Sequence, residues 1–107
     1  MDALEKQLMI NDLLYFYESL LTSKQLKILH YYYSENYTLK EIAQLENISR
    51  NAVHDHIQNA VQKLEHFEEK LQLKSKQEKR DELIQKILHK TDDERIIKLI
   101  KQLEKVA

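Results

Sequence analysis

The stretch Thr38-Leu-Lys-Glu-Ile-Ala-Gln-Leu-Glu-Asn-Ile-Ser-Arg-Asn-Ala-Val53 carries the pattern of two helices joined by a tight turn. Ile42 is spaced to face a core, and the small side chain of Ala43 lets the two helices approach each other. Ile48 follows the turn, and the β-branched Val53 comes one helical turn later. This spacing predicts a helix-turn-helix. A tight helix pair in any small bundle would share part of the pattern.

Capping residues mark where these helices begin and end. Thr38 and Glu41 form a capping box, in which each side chain accepts a hydrogen bond from the other residue's backbone. Asn47 can adopt the left-handed conformation that glycine would otherwise supply at the turn. Ser49 is the predicted cap of a recognition helix that starts at about residue 49. Two further capping boxes are predicted, at Thr22-Ser-Lys-Gln25 and at Thr91-Asp-Asp-Glu94.

The recognition helix presents polar side chains away from the predicted core. Arg, Asn and Gln suit the donors and acceptors on purine edges, whereas Lys40 and the Thr38 cap are placed to contact phosphates. Asp55 carries a charge that repels phosphate. The predicted DNA-binding residues are Thr38, Lys40, Ser49, Arg50, Asn51, His54, Asp55 and Gln58.

Apolar residues recur at helical spacing on both sides of this motif and predict an all-α bundle of five or six helices. A first helix from about Asp2 to Leu20 has apolar residues on more than one face, one of which could meet another chain. Residues 73–80 are either a polar linker or the exposed start of a helix. We therefore expect a helix-turn-helix domain without a wing over residues 1–73, and a helical extension over residues 74–107.

The composition excludes several classes of function. The 107 residues include no Gly, no Pro and no Cys, so disulfides, thiol nucleophiles, Cys-based zinc sites and glycine-rich phosphate loops are impossible. His54 and His56 lie two positions apart on different helix faces and do not form a metal-binding pair. We expect no enzyme activity, no cofactor and no metal.

Charge is unevenly distributed along the chain. Residues 1–73 carry 7 Lys and Arg against 11 Asp and Glu, a net charge of −4, and residues 74–107 carry 10 against 7, a net charge of +3. An autonomous DNA-binding domain usually has a basic surplus, so we expect weak DNA binding. The short apolar runs cannot span a bilayer and the N-terminus lacks a signal region, which predicts a cytoplasmic protein.

Two other segments admit two interpretations each. Tyr31–Tyr33 and Tyr37 could stack on bases, but such clusters more often pack at the seam of a bundle, which we favour. The basic run Lys74–Arg80 could bind RNA or phosphate, but the acidic Glu78 dilutes it and a solvated helix face is the simpler explanation.

The run Thr38–Leu64 resembles region 4 of bacterial sigma factors. A longer stretch, Leu13–Leu73, resembles the YlxM-like small helix-turn-helix proteins. The matching residues are Phe16-Tyr-Glu-Ser-Leu-Leu-Thr22, Lys24-Gln25, Tyr32-Tyr33, Thr38-Leu39, Glu41-Ile-Ala43, Ser49-Arg50, Ala52-Val53 and Glu69-Lys-Leu71. This resemblance implies a DNA-binding regulatory protein connected with the signal recognition particle pathway. The family pattern has Gln, Tyr and Asn where this chain has Asn51, His54 and His56, so the resemblance implies no base preference.

Two functional hypotheses remain open. The first is a regulator that binds DNA as a homodimer, held together by apolar helix faces outside the helix-turn-helix. The second is a helical adaptor that binds protein, or the RNA and GTPase of the signal recognition particle, without sequence-specific DNA binding. The alternative to the homodimer is a monomer completed by C-terminal helices that fold back. The weakly charged recognition helix favours the adaptor, whereas Arg50, Asn51 and Gln58 favour the regulator.

Overall fold

The computed structural model describes residues 1–106 and consists of helices joined by short connections. The α-helices are α1 (Ala3–Tyr17), α2 (Ser23–Leu29), α3 (Leu39–Glu46), α4 (Arg50–Leu71), α5 (Leu73–Lys90) and α6 (Glu94–Val106). A 3-10 turn, Glu18–Leu20, follows α1, and a π-helical segment, His30–Ser34, continues α2. No strand occurs within residues 1–106, and the predicted all-α fold is confirmed.

Two of the three predicted capping boxes are present. The backbone N–H of Gln25 donates to Thr22 Oγ1 at 3.1 Å, and Gln25 Oε1 accepts from the Thr22 N–H at 3.1 Å. Thr38 and Glu41 make the same reciprocal pair, again at 3.1 Å in both directions. Each box satisfies two of the backbone groups at its helix end that have no partner within the helix, which fixes where α2 and α3 begin.

The third capping box, predicted at Thr91, is wrong. Helix α6 begins at Glu94, and Asp93 Oδ1 accepts a hydrogen bond from the Arg95 N–H at 2.9 Å. Thr91 instead accepts from the backbone N–H of Asp93 at 3.2 Å. Aspartate is among the strongest N-cap residues, and its charge is favoured at a helix N-terminus, so Asp93 caps the helix in place of Thr91.

Within the described residues 1–106, three residues adopt the left-handed conformation although none is a glycine: Asn36 (φ 59°), Asn47 (φ 54°) and Gln72 (φ 56°). Asn47 ends α3 as predicted. Gln72 ends α4, and α5 follows at once, so residues 73–80 form the start of a helix rather than a linker.

Two compact units make up the chain, one from Met1 to Gln72 and one that begins at Leu73. In the first unit, α1 and α2 pack on the long helix α4, and α3 packs on its N-terminal part. The buried core consists of Ile10, Leu13, Leu14, Tyr17, Ile28, Leu29, Ile42, Val53, Ile57, Ala60, Val61 and Leu64. The tyrosines between α2 and α3 are half-buried against this core, as the packing interpretation requires. The Tyr31 and Tyr37 rings stack with their centres 5.3 Å apart.

Within the single chain, helix α1 buries one of its apolar faces. Its core side is formed by residues such as Leu13 and Tyr17, whereas Leu4 and Leu8 remain exposed in the chain. Tyr17 is fully buried, and its hydroxyl donates to Glu68 Oε1 on α4 at 2.6 Å. This hydrogen bond ties the end of α1 to the distal part of α4.

The second unit is a helical pair with few buried side chains. Ile84 on α5 and Ile100 on α6 are buried. The large apolar residues of the pair that stay exposed are Leu73, Leu83, Ile87, Ile96, Leu99, Leu103 and Val106. None of the helices within residues 1–106 is both long and apolar enough to cross a membrane.

Candidate nucleic-acid interface

Helices α3 and α4 form the predicted helix-turn-helix. Asn47 turns the chain, and the N–H of Ile48 donates to the Ala43 carbonyl at 3.1 Å, which closes the end of α3. Ile42 and Val53 are fully buried, and Ile48 packs against the same core. These contacts hold the two helices at a defined crossing, so the direction of α4 relative to α3 is set by the core.

Ser49 and Thr38 both act as helix caps. Ser49 Oγ accepts from the Ala52 N–H at 3.0 Å, and Thr38 Oγ1 accepts from the Glu41 N–H. Both residues are exposed, and their hydroxyl hydrogens can still donate to an outside group. Their first role is to position the starts of α3 and α4, because the cap hydrogen bonds determine where each helix begins.

All eight residues predicted to bind DNA are exposed. On α4, Arg50 begins the helix, and Asn51, His54, Asp55 and Gln58 follow at spacings that place them on one side of it. Lys40 lies in the first turn of α3. His56, which the family resemblance grouped with these residues, is half-buried instead.

Acidic groups lie both near to and far from this face. Asp55 is exposed beside His54, with 3.9 Å between Asp55 Oδ1 and His54 Nδ1. Glu65, in contrast, lies 15 residues beyond Arg50 on the same helix, roughly 22 Å along the axis. That separation exceeds the screening length of about 8 Å at physiological salt. The charge of Glu65 is therefore screened at the start of α4, whereas Glu35 and Glu41 act on Tyr37, which lines a cleft together with Arg50.

Two adjoining clefts flank Arg50, and the sequence patterns did not reveal the larger one. It has a volume of about 560 Å³ and is bordered by α1, the π-helical segment and the starts of α3 and α4. Its lining residues are Ala3, Lys6, Gln7, Tyr32, Tyr33, Asn36, Tyr37, Thr38, Leu39 and Arg50. The smaller cleft, about 410 Å³, is lined by Thr38, Leu39, Lys40 and Arg50. No local pattern predicts the larger cleft, because Lys6 and Arg50 are far apart in sequence.

The side chains of the large cleft are held in place by hydrogen bonds and burial. Gln7 Nε2 donates to the Tyr33 carbonyl at 2.7 Å and to Asn36 Oδ1 at 3.4 Å. Burial raises the pKa of the Tyr33 hydroxyl, and the Glu35 carboxylate raises the pKa of the Tyr37 hydroxyl. A tyrosine hydroxyl is ordinarily protonated at neutral pH, and both shifts keep it in that form. The Tyr37 hydroxyl is hydrogen-bonded to Glu35, the residue that raises its pKa.

Among the described residues, no group of three or more His, Asp or Glu is placed to hold a metal ion. His54 and His56, the pair considered in the sequence, differ in exposure, with His54 exposed and His56 half-buried.

Comparison with known proteins identifies related chains of nearly the same length. Residues 4–105 match the family described as "Putative helix-turn-helix protein, YlxM / p13 like", UPF0122. The UPF0122 protein YlxM of Bacillus subtilis is 41% identical over 108 residues, which cover 97% of this chain and 98% of the relative. The UPF0122 protein OB1530 of Oceanobacillus iheyensis is 43% identical over 101 residues, covering 94% and 96% of the two chains. UPF0122 protein BH2485 of Halalkalibacterium halodurans is 41% identical over 105 residues, again covering 94% and 96%.

The match spans both the helix-turn-helix and the C-terminal helical pair, and its description names the motif that α3 and α4 form. The chain therefore belongs to the YlxM/p13-like helix-turn-helix family, UPF0122.

Proposed function

We propose that the protein binds double-stranded DNA, with the start of α4 in the major groove. The observation that carries this proposal is the exposed row Arg50, Asn51, His54 and Gln58 on a helix that Ser49 caps and Ile42 and Val53 anchor. In helix-turn-helix proteins the second helix enters the major groove with its N-terminal residues against the bases. Arginine, asparagine and glutamine can each make paired hydrogen bonds to purine edges.

The proposed binding is weak and depends strongly on salt. Few cations border the face, and each phosphate that a cation neutralises releases counterions, so affinity falls as salt rises. Duplexes selected from a random library, followed by fluorescence anisotropy at several salt concentrations, test this. Arg50→Ala should abolish most sequence preference, because Arg50 is the cation in the first turn of α4. Tight binding that ignores salt, or no duplex binding at low salt, would contradict the proposal.

The cellular role that we propose is transcription regulation, in the manner of sigma factor region 4. This rests on the resemblance of residues 38–64 to that region and on the helix-turn-helix geometry. Chromosomal DNA of bacteria lies in the cytoplasm, where this function would be carried out. Chromatin immunoprecipitation in a bacterium that expresses the protein would find promoter regions enriched if this role is correct.

The second candidate function is an adaptor for the signal recognition particle. The observation that favours it is the charge distribution, with −4 in residues 1–73 and +3 in residues 74–107. A basic extension on an acidic domain suits RNA contact through α5 and α6 better than DNA contact through α4. Titration of the protein with the particle's RNA and with its GTPase tests this. Tight RNA binding that Arg50→Ala leaves intact, together with no duplex binding, would favour the adaptor.

We also propose a homodimer formed through the second unit. On α6, Ile96, Leu99, Leu103 and Val106 recur at helical spacing and are exposed in the chain. A helical pair of this size buries too little apolar surface to be stable unaided, because domains below about 40 residues usually need a further stabilising element. A second copy offers the same stripe, so two pairs can bury their apolar faces as a four-helix bundle. Such a dimer would also present two copies of α4 to paired half-sites.

A further inference from the structure

The two clefts beside Arg50 form one continuous surface. They share Thr38, Leu39 and Arg50, the large cleft extends to Lys6 on α1, and the small cleft extends to Lys40 on α3. We call this joint surface the cationic depression. Three positive side chains from three different helices border it.

No carboxylate is among the described residues that line the cationic depression. This contrasts with the first 73 residues as a whole, which hold 11 acidic and 7 basic side chains. The acidic Glu41 turns its carboxylate to the Thr38 N–H, where the capping box holds it. Tyrosine and leucine side chains form much of the wall. Walls of low dielectric concentrate the field of nearby charges, so three cations act more strongly here than on a flat surface.

Lys6, Lys40 and Arg50 have no ion-pair partner among residues 1–106. Lys27 of the same unit is paired instead, since its Nζ lies 3.0 Å from Glu46 Oε1. A cation paired with a carboxylate has little net field to offer a phosphate. The positive charges of the three cations that border the cationic depression are not neutralised by an ion pair, so they can attract a phosphate outside the protein.

We propose that the cationic depression binds the sugar–phosphate backbone of the DNA strand next to the recognition helix, with Lys6 as a phosphate contact that α1 supplies. This inference rests on the proposed function. Phosphate contacts set the register of a protein on a duplex and carry no sequence information. Lys6 thus gives α1 a positioning role in DNA binding, in addition to its place in the core.

The test compares single charge removals in the full-length protein. Binding to a mixed-sequence DNA duplex is measured at several salt concentrations for the wild type and for Lys6→Gln, Lys40→Gln and Arg50→Gln. The matched control is Lys24→Gln. Its neighbour Gln25 contacts Lys63, and Lys63 lies 13 residues beyond Arg50 on α4, roughly 20 Å along the axis.

The slope of log affinity against log salt is negative, and Lys6→Gln is expected to make it shallower by about 0.9, which corresponds to the loss of one phosphate contact. The loss of affinity should be the same on every duplex sequence, and Lys24→Gln should keep the wild-type slope. Because Lys6 is exposed, its variant should keep the wild-type urea midpoint.

Three results would overturn the inference. A wild-type slope for Lys6→Gln, with a reduced slope for Arg50→Gln, would leave the proposed function standing and remove Lys6 from the interface. If Lys6→Gln and Lys24→Gln reduce the salt dependence of affinity equally, the effect comes from the net charge of the protein and not from a phosphate contact at Lys6. If the wild type binds no duplex at low salt, the proposed function itself fails, and the role of Lys6 fails with it.

Discussion

Single residues on the outward face of α4 both favour and oppose DNA. Arg50 and Gln58 offer donors, while Asp55 places an exposed negative charge among them. A phosphate approaching this face meets Asp55 within a few Å. At such distances a unit charge interacts by about 1 kcal/mol even in water.

Asp55→Asn is therefore expected to raise duplex affinity by roughly fivefold at low salt, the equivalent of about 1 kcal/mol. The control is Glu65→Gln, which removes the same charge from the distal part of α4. Fluorescence anisotropy on one duplex measures both variants. An equal gain from the control would mean that net charge, rather than the position of Asp55, limits binding.

The buried hydroxyl of Tyr17 is the clearest single-residue contribution to stability. It donates to the Glu68 carboxylate at 2.6 Å, and the ring is fully buried. Tyr17→Phe should lower the free energy of unfolding by about 1.5–3 kcal/mol, the usual range for a hydrogen bond to a charged group. Tyr15→Phe is the matched control, because Tyr15 is 80% exposed. Urea denaturation that finds equal stability for both variants would contradict this prediction.

At the scale of elements, the junctions α3–α4 and α4–α5 lie at left-handed residues. Asn47 separates α3 from α4, and Gln72 separates α4 from α5. Most side chains disfavour this conformation because the β-carbon approaches the carbonyl oxygen. Asparagine tolerates it better than most, which explains how a chain without glycine makes a helix-turn-helix.

Asn47→Val should cost about 1–2 kcal/mol of stability because of this backbone clash, whereas Asn47→Gly should retain wild-type stability. Asn59→Val is the control, because Asn59 is an exposed residue in the middle of α4 and asparagine and valine have similar helix propensities. Thermal unfolding followed by circular dichroism separates the variants. If Asn47→Val unfolds at the wild-type temperature, the turn does not depend on the left-handed conformation.

An ion pair joins α2 to α3 in addition to the apolar core that both helices share. Lys27 on α2 pairs with Glu46 in the last turn of α3, where a negative charge opposes the helix dipole. The hydrogen bond from Lys27 to Glu46, and then the charge of Glu46, raise the pKa of Lys27. A raised lysine pKa stabilises the fold below the pKa of the unfolded state, and this stabilisation is lost as pH rises through the folded value. The Lys27–Glu46 pair therefore makes its full contribution to the stability of the fold at neutral pH.

At the scale of the whole molecule, the exposed stripe on α6 is the feature that a monomer leaves unexplained. Leu99 is 64% exposed and Leu103 is 51% exposed in the chain. Apolar surface in water costs roughly 25 cal/mol per Å², and continuous apolar patches usually mark an interface. This supports the proposed homodimer through the second unit.

Leu99→Glu is expected to shift the protein from dimer to monomer and to lower the helix content of the second unit, because this helical pair buries too little apolar surface to be stable unaided. Analytical ultracentrifugation at micromolar concentration measures the mass, and circular dichroism measures the fold. Gln102→Glu is the control, since it adds the same charge at an exposed polar position of α6. A wild-type protein that sediments only at the monomer mass of 12.9 kDa would refute the dimer.

Local physics made much of this fold predictable from the sequence. The caps at Thr22, Thr38 and Ser49 and the left-handed Asn47 each depend on residues within four positions, and all four are present in the structure. The sequence was ambiguous where two neighbouring residues could each cap the same helix. Thr91 and Asp93 are both good caps, and the charge of Asp93 is the more favourable at a helix N-terminus.

The amino-acid sequence by itself thus determined an all-helical chain, the position of the helix-turn-helix and the face that α4 turns outward, because periodicity and capping act over one or two helical turns. Only the tertiary structure decided that α1 buries one face, that the tyrosines pack against the core, and that Lys6 shares a cleft with Arg50. These outcomes depend on which helices pack together. Packing joins residues far apart in sequence, and no local pattern records those pairs.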